Sequence, residues 1–544
     1  MKRLASLAAL AATMVSAPIG AQEAPPPATA PKLIVVISVD QFSADLLAEY
    51  RDHSTGGFAR LLKGAVFPHA WQGHAATETC PGHSTILTGF RPEHTGIIAN
   101  NWIDQRVARA DKSVYCAEDE TVPGSDSQNY TVSDKHLRVP TLGERMKAAN
   151  ADTRVVSVAG KDRAAVMMGG HKIDQLWWWD GKAAFVSYAG RATPPVVARA
   201  NAATAALIAQ AQPALDTPAW CAPHDKAVDL GGGTTVGTGH FERAAGDAKA
   251  FRVSPAFDAA IVALAAGLVQ DMRLGQGKTT DIISIGASAT DFVGHAYGTE
   301  GAEMCIQLSQ LDTTLGRFFG VLDRTGVDYE VVLTADHGGN DLPEREVANG
   351  VAEAQRVDVA LAPANVGKAI AAKLGIAGAT LRGDIPSGDI WLDASLTLPQ
   401  RSAVLTAAVA AYAAHPQVAA VFTAAQLRAA PEPSGPPENW TLLQRARASF
   451  DPERSGDLVV LLKPRVTAIP DTQHTYVATH GSAWDYDRRV PILFWRKGLA
   501  GFEHPGSVET VDIAPTLAAQ IGLAIPKLDG KCLDLGAGQG APCR

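Results

Sequence analysis

The sequence predicts an α/β fold, with helices packed around a doubly wound, mostly parallel sheet. Three observations lead to this prediction. Five continuous apolar runs indicate buried parallel strands, because such strands are covered on both faces. Helix-like segments alternate with most of these runs, as in α/β proteins. Each run also leads toward a residue that can bind a metal or a phosphate, and ligands of such sheets bind beyond the carboxyl ends of the strands.

The first two runs end at charged side chains. Residues 32–39 lead into Asp40, and residues 154–160 lead into Lys161 and Arg163. An arginine offers a forked set of donors that matches phosphate oxygens, and a lysine adds a point charge. The alternative for an isolated lysine or arginine is a surface charge. Their position after a strand favours a phosphate site.

The next three runs, residues 281–286, 329–335 and 457–462, lead to carboxylate and imidazole side chains. The third is followed by Asp291 and His295, the fourth by Asp336 and His337, and the fifth by a loop that carries His480. A lone histidine is more often a core residue. Together with the carboxylate after the first run, however, these side chains form the ligand set of zinc or a similar ion. Six ligands indicate two ions, which can stabilise both the attacking and the leaving oxygen of a displacement.

Helices are predicted between the strand-like runs. They cover residues 141–149, 255–274 and 305–322. Two long segments break the alternation, and we interpret them as insertions that form a cap. They cover residues from about 171 to 254 and from about 346 to 455, within one core domain of residues 32–544 that resumes at 457–462 and 490–495.

Three consecutive tryptophans fall in the first of these insertions. Packing of the insertion is the favoured role for Trp177, Trp178 and Trp179, and lining of a substrate mouth is the alternative. The second insertion is rich in alanine and is predicted to be helical.

The segment around Thr79 supplies a candidate nucleophile. Pro81 suits the first turn of a helix, which places Thr79 at the helix N-terminus. Free N–H groups and the helix dipole favour a bound anion there, and a metal promotes loss of the hydroxyl proton. The alternative is that Thr79 is only an N-cap. Asn100, in a nearby loop, offers an amide donor for the same anion, or is an ordinary loop residue.

The N-terminus indicates an exported protein. Residues 1–21 have the basic start, the short apolar core and the small final residues of a secretory signal. Residues 22–31, rich in proline and alanine, are predicted to be a flexible leader. No apolar run is long enough to span a bilayer. We therefore expect a periplasmic or secreted protein without a membrane span.

The cysteines and the overall charge narrow the class further. The six cysteines are Cys80, Cys116, Cys221, Cys305, Cys532 and Cys543. In an exported protein they permit disulfides. Cys532 with Cys543 is the favoured local pair, and free buried thiols are the alternative for some of the six. A formal net charge of −8 argues against a protein that coats nucleic acid.

These motifs, in the order in which they occur along the chain, resemble those of the alkaline phosphatase superfamily, in its type I phosphodiesterase/nucleotide pyrophosphatase branch. Within this branch the chain is most similar to the phosphate-irrepressible periplasmic alkaline phosphatases. The resemblance covers most of residues 32–345 and 455–525. It implies that one zinc is held by Asp291, His295 and His480, and that a second is held by Asp40, Asp336, His337 and the oxygen of Thr79.

The resemblance also implies the role of each catalytic residue. Thr79 matches the nucleophile of a Thr-x-Pro-x-His motif, and Asn100, Lys161 and Arg163 match the residues that contact the phosphate oxygens. The diesterase subgroup has similar metal ligands but lacks the Lys-x-Arg pair. Sulfatases carry Cys-x-Pro-x-Arg at the nucleophile, so the threonine and His83 argue against a sulfatase.

The function that follows is a secreted alkaline phosphatase with two Zn²⁺ ions. We expect a monomer that hydrolyses a broad range of small-molecule phosphate monoesters through a phosphothreonine intermediate. Two alternatives remain open: a phosphodiesterase or nucleotide pyrophosphatase with the same metal site, and a non-catalytic exported protein that binds metal or phosphate.

Overall fold

A computed structural model describes residues 29–383, 388–472 and 476–536. The predicted signal peptide, residues 1–21, and most of the predicted leader, residues 22–31, lie outside the described residues. None of the described helices is both long and apolar enough to cross a membrane.

The described strands and helices alternate over most of the chain. The strands are β1 Leu33–Val39, β2 Ala65–Trp71, β3 Asn101–Ile103, β4 Ser113–Tyr115, β5 Val155–Ala159, β6 Gln175–Trp179, β7 Phe185–Val186, β8 Val228–Asp229, β9 Thr235–Val236, β10 Asp281–Ala287, β11 Tyr329–Thr334, β12 Gln355–Arg356, β13 Leu381–Arg382, β14 Gly388–Leu392, β15 Val418–Thr423, β16 Leu458–Leu462, β17 Val466–Thr467, β18 Arg489–Arg496, β19 Phe502–Glu503 and β20 Val508–Glu509. The α-helices are α1 Ala44–Tyr50, α2 Gly57–Leu61, α3 Thr79–Thr88, α4 Pro92–Thr95, α5 Leu142–Ala149, α6 Asp162–Gly169, α7 Pro195–Ile208, α8 Ala248–Arg252, α9 Pro255–Asp271, α10 Ala289–Tyr297, α11 Ala302–Thr325, α12 Pro343–Ala348, α13 Pro363–Leu374, α14 Leu398–Ala413, α15 Ala424–Ala429, α16 Leu442–Arg447, α17 Asp485–Arg488 and α18 Ile513–Gln520.

A ten-stranded, mostly parallel sheet forms the centre of the molecule. Its order is β19-β2-β18-β11-β1-β10-β5-β6-β7, with β20 beside β2. The strands β11, β1, β10, β5 and β6 are parallel neighbours, whereas β18 is antiparallel to both of its neighbours. The predicted fold class is therefore confirmed. The predicted helices correspond to α5, α9 and α11.

The central strand β1 shows why these runs are apolar throughout. All seven of its residues are buried. Leu33, Val35 and Ile37 pack in one hydrophobic cluster, and Ile34 and Val36 pack in another. Because successive side chains of a strand point to opposite faces, both faces of the sheet are covered. Burial on both faces fixes this strand at the centre of the core.

The three tryptophans lie in the central sheet rather than in an insertion. They belong to β6, which pairs in parallel with β5. Trp177 and Trp179 pack in one hydrophobic cluster and Trp178 in another. The predicted start of the first insertion, at about 171, is therefore too early, because residues 175–179 and 185–186 belong to the central sheet. All three rings are buried in packing, as favoured from the sequence.

The fifth apolar run does not resume the central sheet, and this prediction was wrong. Its strand β16 lies between β14 and β15 in a separate four-stranded sheet, and both pairings are antiparallel. Leu458, Val460 and Leu462 pack in one cluster, while Val459 and Leu461 pack in another. Burial on both faces produces the same continuous apolar run that a central parallel strand has. The helices α13 and α14 pack against this sheet.

Two disulfides connect four of the described cysteines. Cys80 is bonded to Cys116, and Cys221 is bonded to Cys305. No cysteine among the described residues is a free thiol, so the free-thiol alternative is wrong for this part of the chain. The predicted pairing of Cys532 with Cys543 involves a residue outside the described ranges.

Candidate active site

Three neighbouring strands bring the predicted metal ligands to one edge of the sheet. Asp40 follows β1, and Asp336 and His337 follow β11. The strand β10, on the other side of β1, leads into α10, which carries Asp291 and His295. Because parallel strands end at the same edge, these side chains meet in a buried cluster.

The first group of ligands is centred on Asp291. Its Oδ1 lies 3.3 Å from Nε2 of His295, one helical turn later, and 3.3 Å from Nε2 of His480. The three ligand atoms lie within 4.8 Å of one another. His480 comes from the loop between β17 and α17, so two separate parts of the chain form this group.

The second group differs in one member from the set that the resemblance implies. Asp40, Asp291 and His337 offer ligand atoms within 4.8 Å of one another. Asp336 lies beside this group, with Oδ2 3.3 Å from Nε2 of His337. The rings of His337 and His480 are stacked with centroids 3.6 Å apart, so the two groups are contiguous.

The three histidines are oriented as metal ligands are. In each ring Nδ1 lies 2.8 Å from a backbone carbonyl oxygen: that of Ala478 for His295, Gly338 for His337 and Thr77 for His480. Such a contact fixes the ring and its tautomer, which leaves Nε2 as the lone-pair donor. Burial lowers the pKa of His295 to about 4 and that of His337 to about 3, so both rings are neutral at pH 7.

Unpartnered polar atoms indicate that a cation fits this cluster. Asp291 Oδ1, Asp336 Oδ2 and His337 Nε2 are buried and have no hydrogen-bond partner among the described residues. Burial and the neighbouring Asp336 raise the pKa of Asp40 well above its ordinary value. Three buried carboxylates, those of Asp40, Asp291 and Asp336, share the single ammonium of Lys161, and a further cation would offset the cost of burying their charge. Carboxylate oxygens and imidazole nitrogens are ligands that zinc accepts.

Thr79 is the first residue of α3 and is fully buried. The N-cap position is taken by Glu78, so the alternative in which Thr79 is only an N-cap is wrong. The helix approaches the metal ligands closely, because a Cβ placed on Gly82 would lie 2.0 Å from the carbonyl oxygen of Asp336. The glycine therefore allows the start of α3 to reach the end of β11.

Two cations flank the hydroxyl of Thr79. Its Oγ1 lies 3.3 Å from Nζ of Lys161 and 3.5 Å from Nη2 of Arg163. Lys161 also lies 2.6 Å from a carboxylate oxygen of Asp40 and 2.6 Å from one of Asp291. Burial alone would lower the pKa of Lys161, but these two carboxylates raise it above its ordinary value. The side chain is therefore an ammonium that bridges both ligand groups.

Asn100 lines a cavity at this site, and hydrogen bonds fix its side chain. Its side-chain Oδ1 accepts a hydrogen bond of 2.8 Å from the backbone N–H of Cys80. Its backbone N–H donates to Oε2 of Glu78 over 2.7 Å. The side-chain Nδ2 is therefore the group left to donate to a ligand. Asn100 and Arg163 line a cavity of about 560 Å³ together with Asp291, His295 and His480.

Sequence reasoning missed the residues that hold the metal ligands in place. Asp336 Oδ2 lies 3.0 Å from Nδ1 of His83, the histidine of the Thr-x-Pro-x-His motif, for which the sequence predicted no contact with the candidate metal ligands. Asp336 Oδ1 accepts a hydrogen bond of 3.2 Å from the backbone N–H of Gln41. Gln41 has a φ of 64°, a strained value for a residue other than glycine. No local pattern marks such a backbone conformation.

A second missed group orients Arg163. The hydroxyls of Tyr115 and Tyr130 donate to the two carboxylate oxygens of Asp162 over 2.6 and 2.7 Å, and Nη1 of Arg163 lies 3.4 Å from the Tyr115 oxygen. The tyrosines lie far from Asp162 along the chain, so only the fold brings them together. Asp162, the acidic residue between Lys161 and Arg163, was the sequence feature that could have indicated this group.

The site lies where metal and phosphate ligands of such sheets bind, at the ends of the parallel strands. The chain belongs to the type I phosphodiesterase/nucleotide pyrophosphatase family, whose pattern it matches over residues 34–483. The prediction of this family is confirmed.

Individual relatives are more specific. The chain is 60% identical over 521 residues to alkaline phosphatase PhoK of a Sphingomonas species, covering 95% of this chain and 93% of that protein. It is 49% identical over 516 residues to alkaline phosphatase PhoD of Zymomonas mobilis, covering 94% and 89%. The fold matches a crystal structure of alkaline phosphatase PafA with a TM-score of 0.80 and 25% identity, covering 93% of this chain and 99% of that one.

Proposed function

We propose that the protein is a two-zinc alkaline phosphatase that hydrolyses small-molecule phosphate monoesters through a phosphothreonine intermediate. The observation that carries the proposal is the position of Thr79, whose hydroxyl lies between the ammonium of Lys161 and the guanidinium of Arg163, beside a buried carboxylate and imidazole cluster. The enzyme class itself is confirmed by the relatives, since PhoK and PhoD are both named alkaline phosphatases.

The residues of the chain would act in two displacements. Oγ1 of Thr79 bonds to phosphorus while the bond from phosphorus to the leaving alcohol oxygen breaks. A water oxygen then bonds to phosphorus, the bond to Thr79 breaks, and inorganic phosphate is released. Lys161 and Arg163 favour the deprotonated threonine oxygen, because a nearby positive charge stabilises an anion.

Three side chains would hold the phosphoryl oxygens. Arg163 and Lys161 present charged donors beside Thr79, and Asn100 presents its Nδ2. Phosphoryl-transfer charge is spread over the equatorial oxygens, so fixed donors at these positions stabilise the transition state. A monoester dianion has one more charged oxygen than a diester, which is why these donors favour monoesters.

We assign Asp291, His295 and His480 to one zinc, and Asp40, His337 and Asp336 to the other. Asp336 lies beside the second ligand group, 3.3 Å from Nε2 of His337. When bound, zinc supplies Lewis acidity that activates a nucleophile and neutralises charge on a leaving oxygen.

We also place the protein in the periplasm or outside the cell, as a monomer. The sequence of residues 1–21 and the two disulfides support an oxidising compartment.

The second candidate is a phosphodiesterase or nucleotide pyrophosphatase. The name of the family favours it, and the cavity of about 560 Å³ extends beyond the phosphate-binding side chains to Trp391 and Tyr476. The exposed ring of Tyr476 stacks on His295 with centroids 4.3 Å apart. A second ester group would have room there, so the ratio of monoesterase to diesterase activity decides between the candidates.

Trapping of the intermediate tests the proposal. The enzyme is quenched in acid during turnover, and peptides are analysed by mass spectrometry. We expect phosphate on Thr79 and none on Thr85, a threonine of the same helix. Turnover without phosphate on Thr79 would contradict a phosphothreonine mechanism.

A further inference from the structure

One disulfide lies directly beside the candidate nucleophile. Cys80 follows Thr79 in the first turn of α3 and is bonded to Cys116, which follows β4. Both sulfur-bearing residues are fully buried. The strands β3 and β4 pair in an antiparallel hairpin, so the disulfide connects the nucleophile helix to this hairpin.

Asn100 directly precedes the first strand of the hairpin, and three hydrogen bonds hold it, two of them from the cysteines of the disulfide. The N–H of Cys80 donates to Oδ1 of Asn100 over 2.8 Å, and the N–H of Cys116 donates to its carbonyl oxygen over 2.9 Å. Glu78 accepts the third, from the N–H of Asn100, over 2.7 Å. Both cysteines of one disulfide therefore hold the same phosphate-binding residue.

The hairpin ends at Tyr115, which reaches the other side of the phosphate site. The hydroxyl of Tyr115 donates to Asp162, and Nη1 of Arg163 lies 3.4 Å from the tyrosine oxygen. Asp162 also accepts a hydrogen bond of 2.7 Å from the backbone N–H of Arg163. A shift of the hairpin would thus move Asn100 directly and Arg163 through Tyr115. Thr79, by contrast, is placed by its own helix.

We propose that Cys80 and Cys116 are positioning residues, whose disulfide holds Asn100 and Arg163 in register with Thr79 and so sets the preference for monoesters. This inference rests on the proposed function, because it assigns these donors to the extra charged oxygen of a monoester. Displacing such donors by about 1 Å costs up to about a hundredfold in rate. The metal ligands lie outside the hairpin, so metal binding and diester hydrolysis depend less on the disulfide.

The test removes this disulfide and compares it with the other one. The variant Cys80→Ser plus Cys116→Ser is assayed on p-nitrophenyl phosphate and on its bis-ester, with inhibition by inorganic phosphate measured alongside. We expect kcat/KM for the monoester to fall about tenfold and that for the diester to fall less than threefold, with weaker phosphate inhibition. The matched control is Cys221→Ser plus Cys305→Ser, which we expect to leave the monoester-to-diester ratio unchanged.

An unchanged monoester-to-diester ratio in the Cys80→Ser plus Cys116→Ser variant would overturn the inference, whether both activities fall equally or neither falls. If that variant does not fold, Tyr115→Phe tests the same connection, because it removes the hydroxyl between Asp162 and Arg163 and leaves the disulfide intact. We expect it to lower the ratio about threefold, and an unchanged ratio there would also overturn the inference. An unmodified protein that shows no monoester preference would instead contradict the proposed function.

Discussion

Thr79 carries the chemistry of the proposed mechanism at the residue scale. It is buried, it begins a helix, and its hydroxyl lies beside two cations. We expect Thr79→Ala to lose turnover by about a thousandfold or more, since removal of a nucleophile removes the covalent step. Metal content by mass spectrometry is expected to stay unchanged, because the carboxylate and imidazole ligands remain.

A conservative substitution provides the control. Thr79→Ser keeps a hydroxyl at the same position and should retain a large part of the activity. Loss of the bound metals in Thr79→Ala would mean that this residue is structural in the metal site rather than a nucleophile.

Lys161 and Arg163 test the phosphate contacts at the same scale. Their joint replacement by alanine should reduce kcat/KM for monoesters about a hundredfold, because each donor stabilises charge on the phosphoryl oxygens. Diester hydrolysis should fall much less. Lys172→Ala plus Arg199→Ala removes two exposed cations of the same types and is the matched control. Equal losses on both substrates would show that the pair acts on the metal cluster instead.

At the scale of elements, the close approach of α3 to the end of β11 sets the distance between nucleophile and metal ligands. A Cβ on Gly82 would lie 2.0 Å from the backbone oxygen of Asp336, so Gly82→Ala must push the two elements apart. Overpacking of this kind costs about 1–3 kcal/mol of folding free energy. Urea unfolding measures the loss, and activity should fall with it.

The control is a glycine in another helix that has space around it. A Cβ on Gly320 of α11 meets nothing closer than 3.6 Å. Gly320→Ala should stabilise the protein by about 0.5–1 kcal/mol, because alanine favours the helix over glycine. A Gly82→Ala protein as stable and active as the parent would contradict the tight packing of α3.

The elements also show what the sequence predicts and what it does not. Runs such as β1 and β11 were recognisable because burial on both faces removes the polar alternation, and the ligands follow directly at the strand ends. The same burial misplaced β16, whose residues lie between two hydrophobic clusters in a different sheet. The strand β6 is rich in aromatic residues, which strands favour, but its sequence does not show that it pairs with β5, and it was therefore placed in the insertion. Apolar content thus reports burial, not strand partners.

Contacts between distant segments set the other limit. The sequence placed Asn100 and Arg163 in the candidate site, but the side chains that orient them come from a hairpin and a disulfide. The bonds from Tyr115 to Asp162 and from Cys80 to Cys116 join residues separated by 47 and 36 positions. Only tertiary structure determines such pairs.

On the scale of the whole molecule, the candidate metal ligands join the end of the central sheet to the loop between β17 and α17. Asp40, Asp291 and Asp336 come from the edge of the central sheet, and His480 comes from the loop between β17 and α17. A bound cation would therefore hold the two parts together as well as neutralise the carboxylates. Stability and metal binding should be coupled.

Removal of the metals tests this coupling. We expect a chelator to abolish activity and to lower the melting temperature, and zinc to restore both. A ligand at a thousand times its Kd stabilises the folded state by about 4 kcal/mol. Thr79→Ala should show the same zinc-dependent shift without activity. A melting temperature that does not respond to zinc would contradict the assigned ligands.

The most direct test of the central claim compares p-nitrophenyl phosphate with its bis-ester on purified, zinc-loaded protein, with Thr79→Ala as the control. Our account predicts a strong preference for the monoester that disappears, along with turnover, in the variant. A preference for the bis-ester would contradict the phosphatase assignment and move the protein to the phosphodiesterases, with the same metal ligands and nucleophile.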